Sequence, residues 1–134
     1  MSAALVPEFG VTDLDRSIKF YCDVIGFSVL YSRPEEGFAY LTLGAAELML
    51  DQIDVGRSFV LEQAPPVYPF GRGMNLQIRV AAIAPILERL DVARIPLFLP
   101  VEEKWYRKND ASVGQRQFVV GDPDGYLVRL FENL

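Results

Sequence analysis

Hydrophobic and polar positions along the chain predict the same succession of elements twice. Leu5 to Val11 reads as a strand, and Thr12-Asp13-Leu14-Asp15 supplies a helix start with Thr12 or Asp13 as the N-cap. Leu14, Ile18, Tyr21 and Ile25 then recur at helical spacing, with Phe20 and Val24 widening the apolar stripe. Gly26 suits the left-handed residue that closes a helix. A strand is expected over Phe27 to Tyr31 and a turn over Arg33 to Gly37. A hairpin of Phe38 to Leu43 and Glu47 to Gln52 follows, around Gly44-Ala45-Ala46. From about residue 54 to 72 no period persists and Pro65, Pro66, Pro69 and Gly71 interrupt the chain, which predicts a connector.

The order then begins again. Met74 to Val80 is the expected strand and Ala82 to Val92 the expected helix, with Pro85 in its first turn and Ile83, Leu87 and Leu90 on one face. A short strand over Ile95 to Leu99 leads into a polar loop reaching about Gly114. Gln115 to Val120 and Tyr126 to Phe131 form the last hairpin, around Gly121-Asp122-Pro123-Asp124-Gly125. Strand–helix–strand–strand–strand repeated in this way implies an internal duplication and an α+β fold of two βαβββ modules in tandem, about 1–53 and 73–134. Neither half carries enough core to stand alone comfortably, so the whole chain, 1–134, is expected to be a single domain.

Composition narrows the chemistry. The chain has no histidine, which excludes His-based triads, proton relays and His-ligated metals. A net charge of −5 argues against nucleic acid as a partner, because phosphate binding relies on clustered Lys and Arg. No apolar run approaches the roughly 20 residues that span a bilayer, so no membrane partner is expected, and Met1 to Glu8 does not read as a secretory signal. A single cysteine, Cys22, cannot form an internal disulfide, which fits a reducing, cytoplasmic setting. It lies mid-helix among apolar residues and reads as an inert core thiol.

Two segments carry a family resemblance. Val11-Thr12-Asp13-Leu14-Asp15-Arg16-Ser17-Ile18-Lys19-Phe20-Tyr21, followed by Ile25-Gly26-Phe27, resembles the opening motif of the vicinal-oxygen-chelate superfamily. Asp122-Pro123-Asp124-Gly125-Tyr126 resembles its late hairpin turn. That superfamily includes glyoxalases, extradiol dioxygenases, and fosfomycin- and bleomycin-resistance proteins. The resemblance implies a glyoxalase-like fold with a concave mixed sheet. Metal-using members place ligands at three positions that fall here on Val6, Asn75 and Arg129. An aliphatic side chain, an amide and a guanidinium make no cation site, so neither metal nor other cofactor is expected. The bleomycin-resistance branch, which the chain resembles most, works without a metal. It binds its ligand in a cleft between two subunits, implying a homodimer, and Val6-Pro7 resembles the start of its first strand, which is exchanged between subunits.

Strand alternation gives a separate reading of the site. If Phe9, Val11, Leu41, Leu43, Leu48 and Leu50 meet the first helix, then Glu8, Phe38, Tyr40, Met49 and Asp51 occupy the other face. In the second module Leu76, Ile78, Val80, Phe118, Val120, Val128 and Leu130 leave Asn75, Gln77, Gln117 and Arg129 opposite. Trp105 and Tyr106, in the charged run Glu102-Glu103-Lys104-Trp105-Tyr106-Arg107, are the remaining candidates for ligand contact. Other readings stay open. The alternate face suits a solvated surface as well as a cleft, Arg129 suits an ion pair with Glu8 or Asp51 as well as a ligand, and Trp105 suits an anchor to the core or a partner.

Three functions are therefore in play. The first is a metal-free binding protein that sequesters a drug-like, cationic, partly planar small molecule, with carboxylates such as Glu8, Asp51 and Glu102 complementing its charge. The second is a lyase, isomerase or dioxygenase of the same superfamily, using a non-His metal site or acid–base work by Glu8, Asp51 or Tyr40. The third is a structural or regulatory dimer.

Overall fold

The computed structural model describes residues 2–134 and divides into two compact units, Met1–Phe70 and Gly71–Leu134. Most of the segment expected as a connector therefore belongs to the first unit.

In the first unit, Glu8–Val11 forms β1, Leu14–Lys19 α1, Ser28–Arg33 β2, Phe38–Leu43 β3 and Ala46–Gln52 β4. The sheet order is β1-β4-β3-β2. β1 runs parallel to β4, which the helical crossover permits, and the other pairs are antiparallel. Asp13 is the N-cap of α1: its carboxylate accepts the Arg16 amide at 3.1 Å. Beyond Lys19 the helix widens into a π-helical turn, Phe20–Ile25, which ends at Gly26 with φ 114°. The amides of Gly26 and Phe27 both donate to the Tyr21 carbonyl, at 2.9 and 2.8 Å. The apolar spacing does not reveal this widening, because Phe20, Tyr21 and Ile25 still turn inward. α1 packs on β3 and β4. Of the set assigned to the helix side, Leu43, at the end of β3, is only half-buried, while Phe9, Val11, Leu41, Leu48 and Leu50 are at most 3% exposed. Each such side chain contributes about 2 kcal/mol by leaving water.

The second unit repeats the plan. Asn75–Arg79 forms β5, Ala84–Val92 α2, Leu99–Lys108 β6, Ala111–Gly121 β7 and Leu127–Asn133 β8. The order is β5-β8-β7-β6, again with only the first pair parallel. Ile78, Phe118, Val120, Val128 and Leu130 are buried, as are Ile83, Ile86 and Leu90 of the helical segment. The Asp122–Gly125 turn is held by its own side chain: Asp122 Oδ1 accepts the amides of Asp124 and Tyr126 at 2.9 and 3.0 Å.

Three expectations are corrected. Ile95 to Phe98 lie in no strand, and the loop expected to reach Gly114 is instead a long hairpin, β6 and the start of β7, that begins at Leu99. Most of it is exposed, with Val101, Trp105 and Val113 scattered among polar and charged residues, so no hydrophobic alternation marks it. The first strand begins at Glu8, not Leu5, since Pro7 has no amide proton to contribute to a ladder. α2 begins at Ala84, with Pro85 in its first turn as expected.

The outer strand of each sheet is irregular at a comparable place. In β2 the register shifts between Val29 and Tyr31, and in β6 between Leu99 and Glu102. Each shift inserts one extra residue, and one extra residue exchanges the faces of everything beyond it.

Candidate functional site

The face of the first sheet opposite α1 is built in rows. Glu8, Met49, Tyr40 and Tyr31 are successive cross-strand neighbours, as are Gly10, Asp51, Phe38 and Arg33. Tyr31 enters this face only because of the shift at Leu30; it stacks on Tyr40 at 5.1 Å and 19°. Tyr31 also lies 6.0 Å from the Phe38 ring. The Arg33 guanidinium sits 4.2 Å from the Phe38 ring centre and is paired with Glu36. Tyr40 donates its hydroxyl to Glu47, and this hydrogen bond is the main reason its phenol is pushed up to about 12. Glu47 also accepts the Ala3 amide at 2.7 Å.

Beside these rows lies a cleft of about 510 Å³, bordered by Arg33, Phe38, Asp51, Gly56 and Arg57 among others. Asp51 is 3% exposed and its Oδ1 has no hydrogen-bond partner. The Asp51 carboxyl is raised from its ordinary value, first by burial and also by Glu36, against the Arg57 amide and the Arg33 charge. The Glu8 carboxyl is raised as well, by burial and then by Asp51, with Arg57 opposing. Gly56 is required at this spot: a β-carbon there would lie 1.7 Å from Asp51 Oδ1 and 2.7 Å from the Glu36 carbonyl oxygen.

The corresponding face of the second sheet carries different chemistry. Gln77, Arg129 and Val119 form one row, and Arg79, Phe131, Gln117 and Glu102 the next. Beyond the shift in β6, Tyr106 falls on this face, and its hydroxyl oxygen accepts Gln117 Nε2 at 2.8 Å and Arg129 Nη1 at 3.5 Å. Asn75 and Gln77 are exposed.

Of the residues singled out from sequence, Glu8, Phe38, Tyr40, Met49 and Asp51 share one face of the first unit. Asn75, Gln77, Tyr106, Gln117 and Arg129 share one face of the second. Trp105 is separated from the latter group. It pairs with Gly114 and lies on the same face as Glu103 and Arg116, opposite to Tyr106. Its ring covers Gly114, where a β-carbon would come within 2.7 Å of it, and the residue remains 59% exposed. Sequence reasoning missed Tyr31, Arg33, Glu36, Gly56 and Arg57. Alternation places Tyr31 and Arg33 on this face only once the shift is known, and Gly56 and Arg57 lie in a segment without any period. Cys22 is half-buried, its thiol raised by burial and by Asp23.

The residues at the three positions where the resemblance would place metal ligands do not fit a metal. Val6 offers no donor atom, Asn75 is an exposed amide, and Arg129 is a cation bonded to Tyr106. Among the described residues no three Cys, Asp or Glu side chains gather as a metal-binding group. No helix among them is long and apolar enough to cross a membrane.

Residues 5–85 match the family model described as Glyoxalase/Bleomycin resistance protein/Dioxygenase superfamily. No curated protein matches the chain. Among solved structures, a glyoxalase/bleomycin resistance protein/dioxygenase superfamily member from Vibrio splendidus 12B01 is 34% identical, with 95% of each chain covered and a TM-score of 0.42. TioX from Micromonospora sp. ML1 is 20% identical, with 99% of this chain and 100% of that one covered and a TM-score of 0.75. A lactoylglutathione lyase from Agrobacterium tumefaciens is 21% identical, over 98% and 94%, with a TM-score of 0.61. The duplicated βαβββ topology and the match over most of the sequence agree: the chain belongs to the glyoxalase/bleomycin resistance protein/dioxygenase superfamily.

Proposed function

We propose that this chain is a metal-free small-molecule-binding protein of the superfamily, resembling its bleomycin-resistance branch, that sequesters a drug-like ligand with a cationic, planar part. In this reading it works as a cytoplasmic homodimer whose cleft lies between subunits, and as a single-domain protomer. The observation that carries it is the cleft beside Asp51. There the Phe38 ring already supports the Arg33 guanidinium at 4.2 Å, next to a buried carboxyl with one unpartnered oxygen. A ligand amidinium or guanidinium can take the same ring face and the same carboxylates, while Tyr31 and Tyr40 extend the aromatic surface.

Calorimetric titration with benzamidine, and with bleomycin as the larger probe, tests this. Saturable binding that weakens about tenfold in Asp51→Asn is expected, the worth of one hydrogen bond to a charged group. Absence of saturable binding to both probes overturns the cation reading. A second reading, an enzyme performing acid–base work, draws on the raised carboxyls of Glu8 and Asp51, which suit proton transfer nearer neutrality. Elemental analysis bears on a metal-dependent version of it. Stoichiometric iron, manganese, nickel or zinc that is lost in Asp51→Ala replaces the binding-only reading with an enzymatic one.

A further inference from the structure

The second unit carries its own polar cluster, and its chemistry is opposite in sign to that around Asp51. Gln117 is 2% exposed, and its Oε1 has no hydrogen-bond partner. Arg129 is half-buried; Nη1 reaches Tyr106, while the buried Nε has no partner. The Tyr106 oxygen accepts from both Gln117 and Arg129, which occupies its two acceptor directions and leaves its own O–H free to donate. Within this unit no carboxylate lies within ion-pair distance of Arg129. Glu102, across from Gln117 on the same face, makes no ion pair with it. Arg116, by contrast, is paired with both Glu103 and Glu132 on the opposite face.

Leaving a partly buried guanidinium without a counter-charge, and a buried amide oxygen without a donor, is costly. Both side chains hold the same Tyr106 oxygen, so the guanidinium and the carboxamide are neighbours, one rich in donors and the other keeping an unpartnered acceptor. Because Nη1 is tied to Tyr106, the edge of the guanidinium that carries Nε stays unengaged, and that edge suits side-on pairing with an oxyanion. The Tyr106 hydroxyl adds a neutral donor. Gln117 Oε1, an acceptor, would repel a bare oxyanion but satisfies an O–H or N–H on the atom beside it.

We infer that Arg129, Tyr106 and Gln117 form an oxyanion-binding site that takes a carboxylate or phosphate group bearing an adjacent hydroxyl or N–H donor. It does not depend on the cation reading above, which concerns other residues and other probes.

The test uses the full chain, isotopically labelled so that the Arg129 Nε–H resonance is observed and assigned by its loss in Arg129→Lys. Acetate, glycolate and inorganic phosphate are titrated separately, with thermal shift as a second readout. Saturable movement of the Arg129 resonance is expected with glycolate or phosphate, tighter for glycolate than for acetate. Arg129→Lys, which keeps the charge and loses the fork, weakens binding about tenfold or more. Gln117→Leu removes the preference for glycolate over acetate while acetate still binds. A larger response to phosphate than to glycolate assigns the phosphoryl form of the ligand. No movement of the resonance with any of the three acids overturns the proposal, as does a thermal shift that survives unchanged in Arg129→Lys.

Discussion

The two halves of this protein are alike on one face and unlike on the other. Both sheets have the same first-fourth-third-second strand order, one parallel pair, and an antiparallel edge strand with one inserted residue. On the helix side they use interchangeable residues: Phe9, Leu41, Leu48 and Leu50 in the first, Ile78, Phe118, Val128 and Leu130 in the second. On the other face the first unit offers aromatic rings and the buried Asp51 carboxyl, the second a guanidinium and carboxamides. A helix-packed face is constrained only by volume and hydrophobicity, which many residues satisfy. The alternate face is free of that demand, and it is there that the two halves have acquired separate chemistry.

The likeness is tested most strongly at equivalent core positions. Leu50→Ala in β4 and Leu130→Ala in β8 remove side chains that are 0% exposed, and each is expected to cost about 2–5 kcal/mol in denaturant unfolding. Similar losses in one shared transition show that both units depend on a common cooperative structure. A loss confined to one of two separate transitions shows that each unit unfolds by itself.

The contrast is tested next at Gly56. Gly56→Ala puts a methyl group against Asp51 and the Glu36 backbone, and about 1–3 kcal/mol of destabilisation is expected from the overpacking. Benzamidine binding, where present in the parent, falls with it. Unchanged stability shows that the Asp51 carboxyl is not held against that backbone.

A pH experiment sharpens the same point. Burial raises the Asp51 carboxyl, so folding makes it harder to ionise than it is in the unfolded chain. For an acid raised on folding, the contribution to stability is greatest below the unfolded-state value and is lost as pH rises through the folded one. Asp51→Asn is therefore expected to stabilise the protein near neutral pH relative to the parent, with the gain shrinking as pH falls through the carboxylate range. A variant equally destabilised at all pH values identifies Asp51 as a structural acceptor for the Arg57 amide.

The smallest expected effect is in the second unit. Gly114→Ala displaces the Trp105 ring, but that ring is 59% exposed and can swing into solvent. About 1 kcal/mol or less is expected, with a red-shifted tryptophan emission. Because Trp105 lies on the face away from Tyr106 and Arg129, the acids titrated against Arg129 should leave its fluorescence unchanged.

Much of this was legible from residues alone. The helix start at Asp13, the stop at Gly26, the hairpin at Gly44 and the Asp122 turn each follow from a local requirement that a single side chain or glycine meets. The helix-side residues follow from alternation wherever a strand is half-buried. The hairpin of β6 and β7 was not legible, because strands that are exposed on both faces need no hydrophobic period. The cleft was half legible: Phe38 and Asp51 follow from alternation, whereas Gly56 and Arg57 come from an aperiodic segment brought alongside by the chain's path.

By itself the sequence determined the duplicated βαβββ order and most of the residues that fill the core, since these depend on local preference and burial pattern. The tertiary structure decided which side chains share a site. One extra residue in β2 brings Tyr31 beside Tyr40, and one in β6 puts Tyr106, not Trp105, beside Gln117 and Arg129. Side chains alternate with a period of two, so a single inserted residue reverses every assignment beyond it, and the insertion is visible only in the pairing of one strand with its neighbour.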